Sequence, residues 1–203
     1  MKNLKDGNVR TERRDAAENR QRILDAAQKL FQQNGVEQVS MNQIAIEAQI
    51  GPGTLYRRYR NKSELCLDLI KDTVTQFFED IEKYLREHQA DPPYQRLKEI
   101  LRLFIFFRDK KFQLMTGIEN GAFDNRSNSI TQTPLYKKMH EIVIKLLSEM
   151  TASEQNEPNN VFRTDMLLYA LLKSDSYTFQ RDVRGYSTES LLEQLSLTFF
   201  PER

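Results

Sequence analysis

Apolar residues recur at three- and four-residue steps along most of this chain, the signature of amphipathic helices. Ile23, Ala26, Ala27, Leu30 and Phe31 fall on one helix face. Asp15 with Glu18 resembles a capping box and predicts a start near Asp15. Asn34-Gly35 ends the helix, with Gly35 suited to a left-handed position. Val36 and Val39 then plug a small core. Ser40 with Gln43 forms a second box, opening a short helix from Met41 to Ala48 that turns Ile44, Ala45 and Ala48 inward. Gln49-Ile50-Gly51 reads as a three-residue turn. Pro52 fits the first turn of another short helix that reaches about Tyr59.

Asn61 and Glu64 cap a long helix from Lys62 to about His88, which at 1.5 Å per residue spans roughly 40 Å. Asp91-Pro92-Pro93 breaks it. Helices are predicted over Tyr94 to Arg108, Lys110 to Ala122, Pro134 to about Thr151, Val161 to about Asp182, and from a Ser187 or Thr188 cap to Phe199. The stretches Asp124 to Thr133 and Ala152 to Asn160 read as loops. Beyond residue 72 no stretch alternates with period two over a strand length, and no repeat or Gly-rich phosphate loop stands out. The fold class is all-α: an N-terminal three-helix helix-turn-helix unit, a long connecting helix and an α-helical bundle. The expected divisions are a flexible basic arm over residues 1–14, the helix-turn-helix domain over 15–62 and the helical domain over 63–203.

Composition supports long elements: 203 residues hold only 7 Gly and 6 Pro. The net charge of +1 is unevenly spread, because residues 1–71 carry 13 Lys/Arg against 9 Asp/Glu and the rest carry 17 against 20. A basic N-terminal third fits a polyanionic partner. Residues 1–14 read either as an inert tail or as an arm touching DNA phosphates or a minor groove. Cys66 is the only cysteine, which excludes an intrachain disulfide and fits a reducing compartment. No apolar run approaches a membrane span. Together these predict a cytoplasmic protein that needs no membrane. His88 and His140 are the only histidines and have no cysteine partners at ligand spacing, so no metal site and no cofactor are expected.

The second short helix carries the chemistry. Gly51 to Arg60 contains no acidic residue. It offers Arg57, Arg58 and Arg60 with hydroxyls on Thr54, Tyr56 and Tyr59, groups that donate to phosphate oxygens and base edges without repelling them. Gly53 lacks a Cβ, so backbone can come close to a strand there, near N–H groups that attract an anion. Lys62 opposes the dipole of the helix it starts, an effect that a nearby phosphate reverses.

The stretch Arg20 to Leu65 resembles the DNA-binding domain of the TetR family. The resemblance rests on Ile23-Leu24-Asp25-Ala26-Ala27, Leu30-Phe31, Gly35, Ile44-Ala45, Ala48, Gly53-Thr54-Leu55-Tyr56, Tyr59, and Lys62 with Leu65. It implies that Thr54, Tyr56 and Lys62 contact phosphates, that Tyr59 packs or reaches the backbone, and that Ser40 and Met41 approach a phosphate. Base readout is assigned to Pro52, Arg57 and Arg58, and Leu55 to the core. Departures are Gln49 where the family often has Gly, at a cost of about 1 kcal/mol in a left-handed position, and Gly51 where a Ser or Thr cap is usual.

For the remaining two thirds the resemblance is one of helix count and order. It implies an effector pocket walled by Tyr84, Phe104, Phe107, Met115, Phe123, Tyr136, Met139 and His140, and a homodimer interface on Leu167, Leu168, Leu171, Ser174, Leu191, Leu192 and Leu195. The expected partners are double-stranded DNA, a second copy and a largely apolar small molecule. Two reader helices about 34–36 Å apart would enter successive major grooves of a palindromic operator. The rivals are an α-helical enzyme, for which neither a nucleophile with its base nor a metal motif is evident, and a helix-turn-helix protein whose body binds another protein.

Overall fold

The computed structural model describes residues 5–122, 130–150 and 159–201. Among them every regular element is helical. The chain divides into two compact units, Met1–Leu69 and Ile70–Arg203. The division falls inside the long fourth helix, not at its start.

In the first unit α1 spans Lys5–Asn34. It begins well before Asp15, so Asp15 and Glu18 lie within the helix instead of capping it, and helix replaces the flexible arm from Lys5 onward. Gly35 ends α1 at φ 79° and donates its N–H to Phe31 at 2.9 Å. Short α2, Met41–Glu47, has both halves of the Ser40–Gln43 capping box. Short α3, Pro52–Arg58, starts from Gly51, which gives no side-chain cap. The start of α4, Lys62–Glu87, closes the unit. Asn61 accepts the Glu64 N–H at 3.0 Å, and the Glu64 carboxylate reaches back to the Arg60 N–H at 2.7 Å. Ile23, Ala27, Ile44, Ala45, Leu55, Leu65 and Cys66 are fully buried, with Val36 and Val39 beside them. Burial pushes the Cys66 thiol up to about 12, as befits a small side chain packed for its volume.

The second unit is a bundle around α5, Pro93–Ala122. The pattern predicts two helices here, and the structure breaks the helical run at Lys111, whose backbone is non-helical (φ −116°, ψ 16°), so that two helical stretches meet at a kink. A single 3₁₀ turn, Ile130–Gln132, precedes α6, Pro134–Met150, and then α7 spans Asn160–Leu172. Leu97, Ile100, Leu101, Phe104 and Ile105 of α5 are fully buried. So are Met139, Val143 and Leu147 of α6, and Phe77 stacks on Phe107 at 4.7 Å between centroids.

The helix expected from Val161 to Asp182 is broken. α7 stops at Lys173, whose backbone is extended (φ −70°, ψ 122°). α8, Ser174–Thr178, restarts it, a π-turn covers Phe179–Val183, and α9 spans Thr188–Phe199 from a Ser187 cap. The break is held from α5. The Glu119 carboxylate accepts from Lys173 Nζ at 2.5 Å and from the Ser174 N–H at 2.8 Å, satisfying a donor that the break sets loose. Glu119 is therefore buried and paired. Burial pushes its carboxyl up, but the bonds from Lys173 and Ser174 together outweigh that and hold it below the usual range.

Candidate nucleic-acid interface

In the turn before α3, Gln49 sits in the left-handed region at φ 54°. The Ile50 N–H reaches back to the Ala45 carbonyl at 3.0 Å. Arg22 of α1 fastens the turn from outside, Nη2 donating to the carbonyls of Ala48 at 2.6 Å and Gln49 at 2.8 Å. Lys29 pairs with Glu47 at 2.5 Å, adding a second link from α1 to α2.

α3 itself is pinned at both ends of its inner face. Leu55 is fully buried, and Tyr59 is almost so. The Tyr59 hydroxyl donates to Asp68 at 2.5 Å, and Arg20 donates to the same carboxylate through Nε at 2.9 Å and Nη2 at 2.6 Å. The Arg20 bonds hold the Asp68 carboxyl below its ordinary range; burial opposes them and the Tyr59 bond assists. Burial, and then the bond to Asp68, push the Tyr59 phenol up. One acceptor thus joins α1, the end of α3 and α4.

What remains turned outward is a continuous surface. Pro52, Gly53, Tyr56, Arg57 and Arg58 are exposed, Thr54 is half-buried, and none of them is acidic. Arg58 is partly committed: Nη1 reaches the Ala16 carbonyl at 3.4 Å, and its guanidinium lies 5.9 Å from the Tyr59 ring centroid. A hollow of about 500 Å³ lies between α1 and α3, with Asn19, Thr54, Arg57 and Arg58 among its walls. Ser40 is exposed at the start of α2.

Met41 is buried, so its side chain is removed from the outer face. Tyr59 is buried too, which is the packed one of its two expected placements. Lys62 spends its ammonium on the Val36 and Glu37 carbonyls, at 2.6 and 3.2 Å, and burial lowers its pKa. It closes the end of α1 onto α4.

The model of bacterial regulatory proteins of the tetR family matches residues 23–69. Over 190 residues the chain is 33% identical to the HTH-type transcriptional regulator SAB2452 of Staphylococcus aureus, covering 94% of this chain and 97% of that one. The chain belongs to the TetR family. It is a DNA-binding helix-turn-helix transcriptional regulator. Solved TetR-family structures share its fold at low identity. Thermus thermophilus FadR, a repressor solved with lauroyl-CoA, aligns at TM-score 0.68 and 16% identity over 91% of this chain and 96% of its own. NalD of Pseudomonas aeruginosa, the secondary repressor of the MexAB-OprM multidrug efflux pump, aligns at 0.58 and 20% over 91% and 96%. Among the described residues no helix is long and apolar enough to cross a membrane.

In the TetR body the expected interface residues turn out to be core. Leu167, Leu168, Leu171, Leu191, Leu192, Leu195 and Ser174 are all buried within the single chain. Ser174 is occupied by Thr116 at 3.1 Å and by the Glu119 bond to its N–H. The expected stripe on these helices therefore packs inward within one chain. The outward stripe is apolar too: Phe162, Met166 and Tyr169 on α7, with Val183 on the π-turn and Leu197 on α9.

Phe104, Phe107, Met115 and Met139 are packed core. Tyr84 stacks on His88 at 4.2 Å. Tyr136 and His140 converge on Asp165, at 2.6 and 3.2 Å, and Tyr136 lines a cavity of about 200 Å³ with Met166 and Tyr169. Phe123 lies outside the described residues. Sequence reasoning passed over Arg22, Asp68 and Arg108, because nothing in local spacing marks a long-range partner.

Proposed function

We propose that this regulator is a ligand-responsive repressor that binds a palindromic operator as a homodimer in the cytoplasm. The carrying observation is the outer face of α3. It shows Tyr56, Arg57 and Arg58 with no carboxylate, while Leu55 and Tyr59 anchor the opposite face. Arg57 and Arg58, with Pro52, are the proposed base readers. Thr54, Tyr56, Ser40 and the Gly53 backbone are proposed to hold phosphates. The second copy is proposed to dock on the outward stripe of α7 and α9, since large apolar side chains clustered at a surface mark interaction sites. The body is proposed to sense a small, mainly apolar molecule. FadR of the same fold, solved with lauroyl-CoA, supports that reading. Such a ligand weakens operator binding only by its preference for the non-binding state.

The test is selection of bound fragments from random duplex DNA by the full-length protein. An inverted repeat, lost with Arg57→Ala, is the expected result. A selected motif without two-fold symmetry would defeat the dimeric operator, and no enrichment at all would defeat the reader assignment.

A further inference from the structure

Arg108 lies on α5 just before the bend at Lys111, and its side chain is wholly shut off from solvent. The guanidinium sits 4.5 Å from the Tyr177 ring centroid and 5.6 Å from that of Phe112. Nη2 meets the Ser174 hydroxyl only at 3.5 Å, the edge of hydrogen-bond range. Among the described residues, Nε and Nη1 have no acceptor. The neighbouring carboxylates are already engaged. Asp109 accepts from Tyr177 and Arg181, and Glu119 from Lys173 and Ser174.

An arginine in this position is unusual. Burial pulls its pKa down to about 10, so it still carries its charge at neutral pH. Guanidinium groups inside proteins are normally matched to carboxylates or phosphates. The surrounding helices are also irregular at three points: the bend at Lys111, the extended Lys173 next to Ser174, and the π-turn that follows Tyr177 and Thr178. Such π-turns are frequent at functional sites. An unmatched cation and three breaks in helix regularity therefore meet at one place in the second unit.

We infer that Arg108 is a ligand-binding residue, taking an oxyanion of the small molecule that this unit senses, with Tyr177 and Phe112 flanking the charge. The inference rests on the ligand-responsive reading above and names the chemistry of the ligand: an anionic head on a body otherwise apolar. A carboxylate and a phosphate monoester share that chemistry, and the arms of the test separate them.

The test is thermal unfolding of the full-length wild type and Arg108→Met with decanoate, decyl phosphate and benzoate, each beside its uncharged alcohol. A ligand that binds the folded state raises Tm by mass action. At least one anion is expected to raise the wild-type Tm by about 3 °C or more while its alcohol gives less than about a third of that. Arg108→Met is expected to abolish the difference, and without ligand to melt at or above the wild type, because it removes an unmatched buried charge. A carboxylate outperforming the phosphate ester, or the reverse, identifies the head group. Alcohols that match their anions would overturn the oxyanion site and leave the sensing reading standing. So would an anion preference that survives in Arg108→Met. A variant that melts well below wild type without ligand would make Arg108 a structural residue and end the proposal. No shift with any compound would defeat both readings together.

Discussion

Arg22 of α1 donates to the backbone carbonyl of Gln49 at 2.8 Å, so the residue that bends the chain between α2 and α3 is clamped from the first helix of the unit. Gln49 holds φ 54° without the freedom of a glycine. A side chain in that region costs about 1 kcal/mol. Charge-assisted bonds from Arg22 to two adjacent carbonyls offset that cost and fix the angle at which α3 leaves the turn.

Arg22→Ala is expected to lower stability by about 1 kcal/mol and to weaken DNA binding through misplacement of α3. Since Arg22 acts on the turn and not on phosphate, the slope of log K against log salt should stay as in the wild type. Arg57→Ala should instead flatten the slope by close to one unit if Arg57 neutralises a phosphate, and keep it if Arg57 reads a base. Titrations of labelled operator at several salt concentrations give both slopes. A flattened slope for Arg22→Ala would place that guanidinium on the DNA.

Gly53 gives a cleaner separation of folding from binding. A Cβ built there meets nothing within 4 Å, and its φ lies outside the left-handed region. Nothing inside the chain requires glycine. Gly53→Ala is expected to leave stability unchanged or raise it by up to about 1 kcal/mol through helix propensity. On the proposed contact at Gly53 it should still lower operator affinity at least tenfold, because the added methyl would meet the DNA strand. Denaturant melts and binding titrations on one preparation decide it. Unchanged affinity would remove Gly53 from the contact surface.

From Gly35 to Pro52 the elements are legible because their signals are local. The Ser40–Gln43 box, the Gly35 stop, Pro52 in a first turn and the left-handed turn at Gln49 all act within a few residues, and the structure has each of them. Long-range partners were not legible. No local signal shows that the Lys62 ammonium donates to the Val36 and Glu37 carbonyls. The helix over 161–182 is periodic enough to be one element, yet Glu119, more than fifty residues away in sequence, stabilises its break at Lys173. Periodicity cannot say which of two apolar stripes on α7 faces inward. Leu167, Leu168 and Leu171 and Phe162, Met166 and Tyr169 satisfy it equally.

Asp68 predicts how the first unit responds to acid. Its folded pKa is depressed, chiefly by the Arg20 bonds and further by Tyr59. A depressed carboxyl contributes stability above its unfolded pKa, about 3.9, and that contribution is lost as pH falls through the folded value. Asp68→Asn should therefore lower Tm at neutral pH. The gap between wild type and variant should stay constant down to about pH 4 and then close. Melts from pH 7 to pH 2.5 test this. A gap that widens in acid would mean that Asp68 does not stabilise the fold as the charged acceptor of Arg20 and Tyr59.

The two stripes of α7 make opposite predictions. Leu168 is fully buried and Phe162 is 61% exposed. A carboxylate in place of Leu168 leaves a charge in the core, so Leu168→Asp should fail to fold or lose several kcal/mol. A carboxylate in place of Phe162 or Met166 meets solvent in the isolated chain, and should cost that chain little. If the outward stripe seats a second copy, the same charge is desolvated only on association. Phe162→Asp with Met166→Glu should then yield a folded, helical monomer by sedimentation, with operator affinity reduced at least a hundredfold because two half-sites are no longer engaged together. A double variant that stays dimeric would move the interface elsewhere on the body. One that becomes monomeric yet keeps full affinity would uncouple dimerisation from operator recognition.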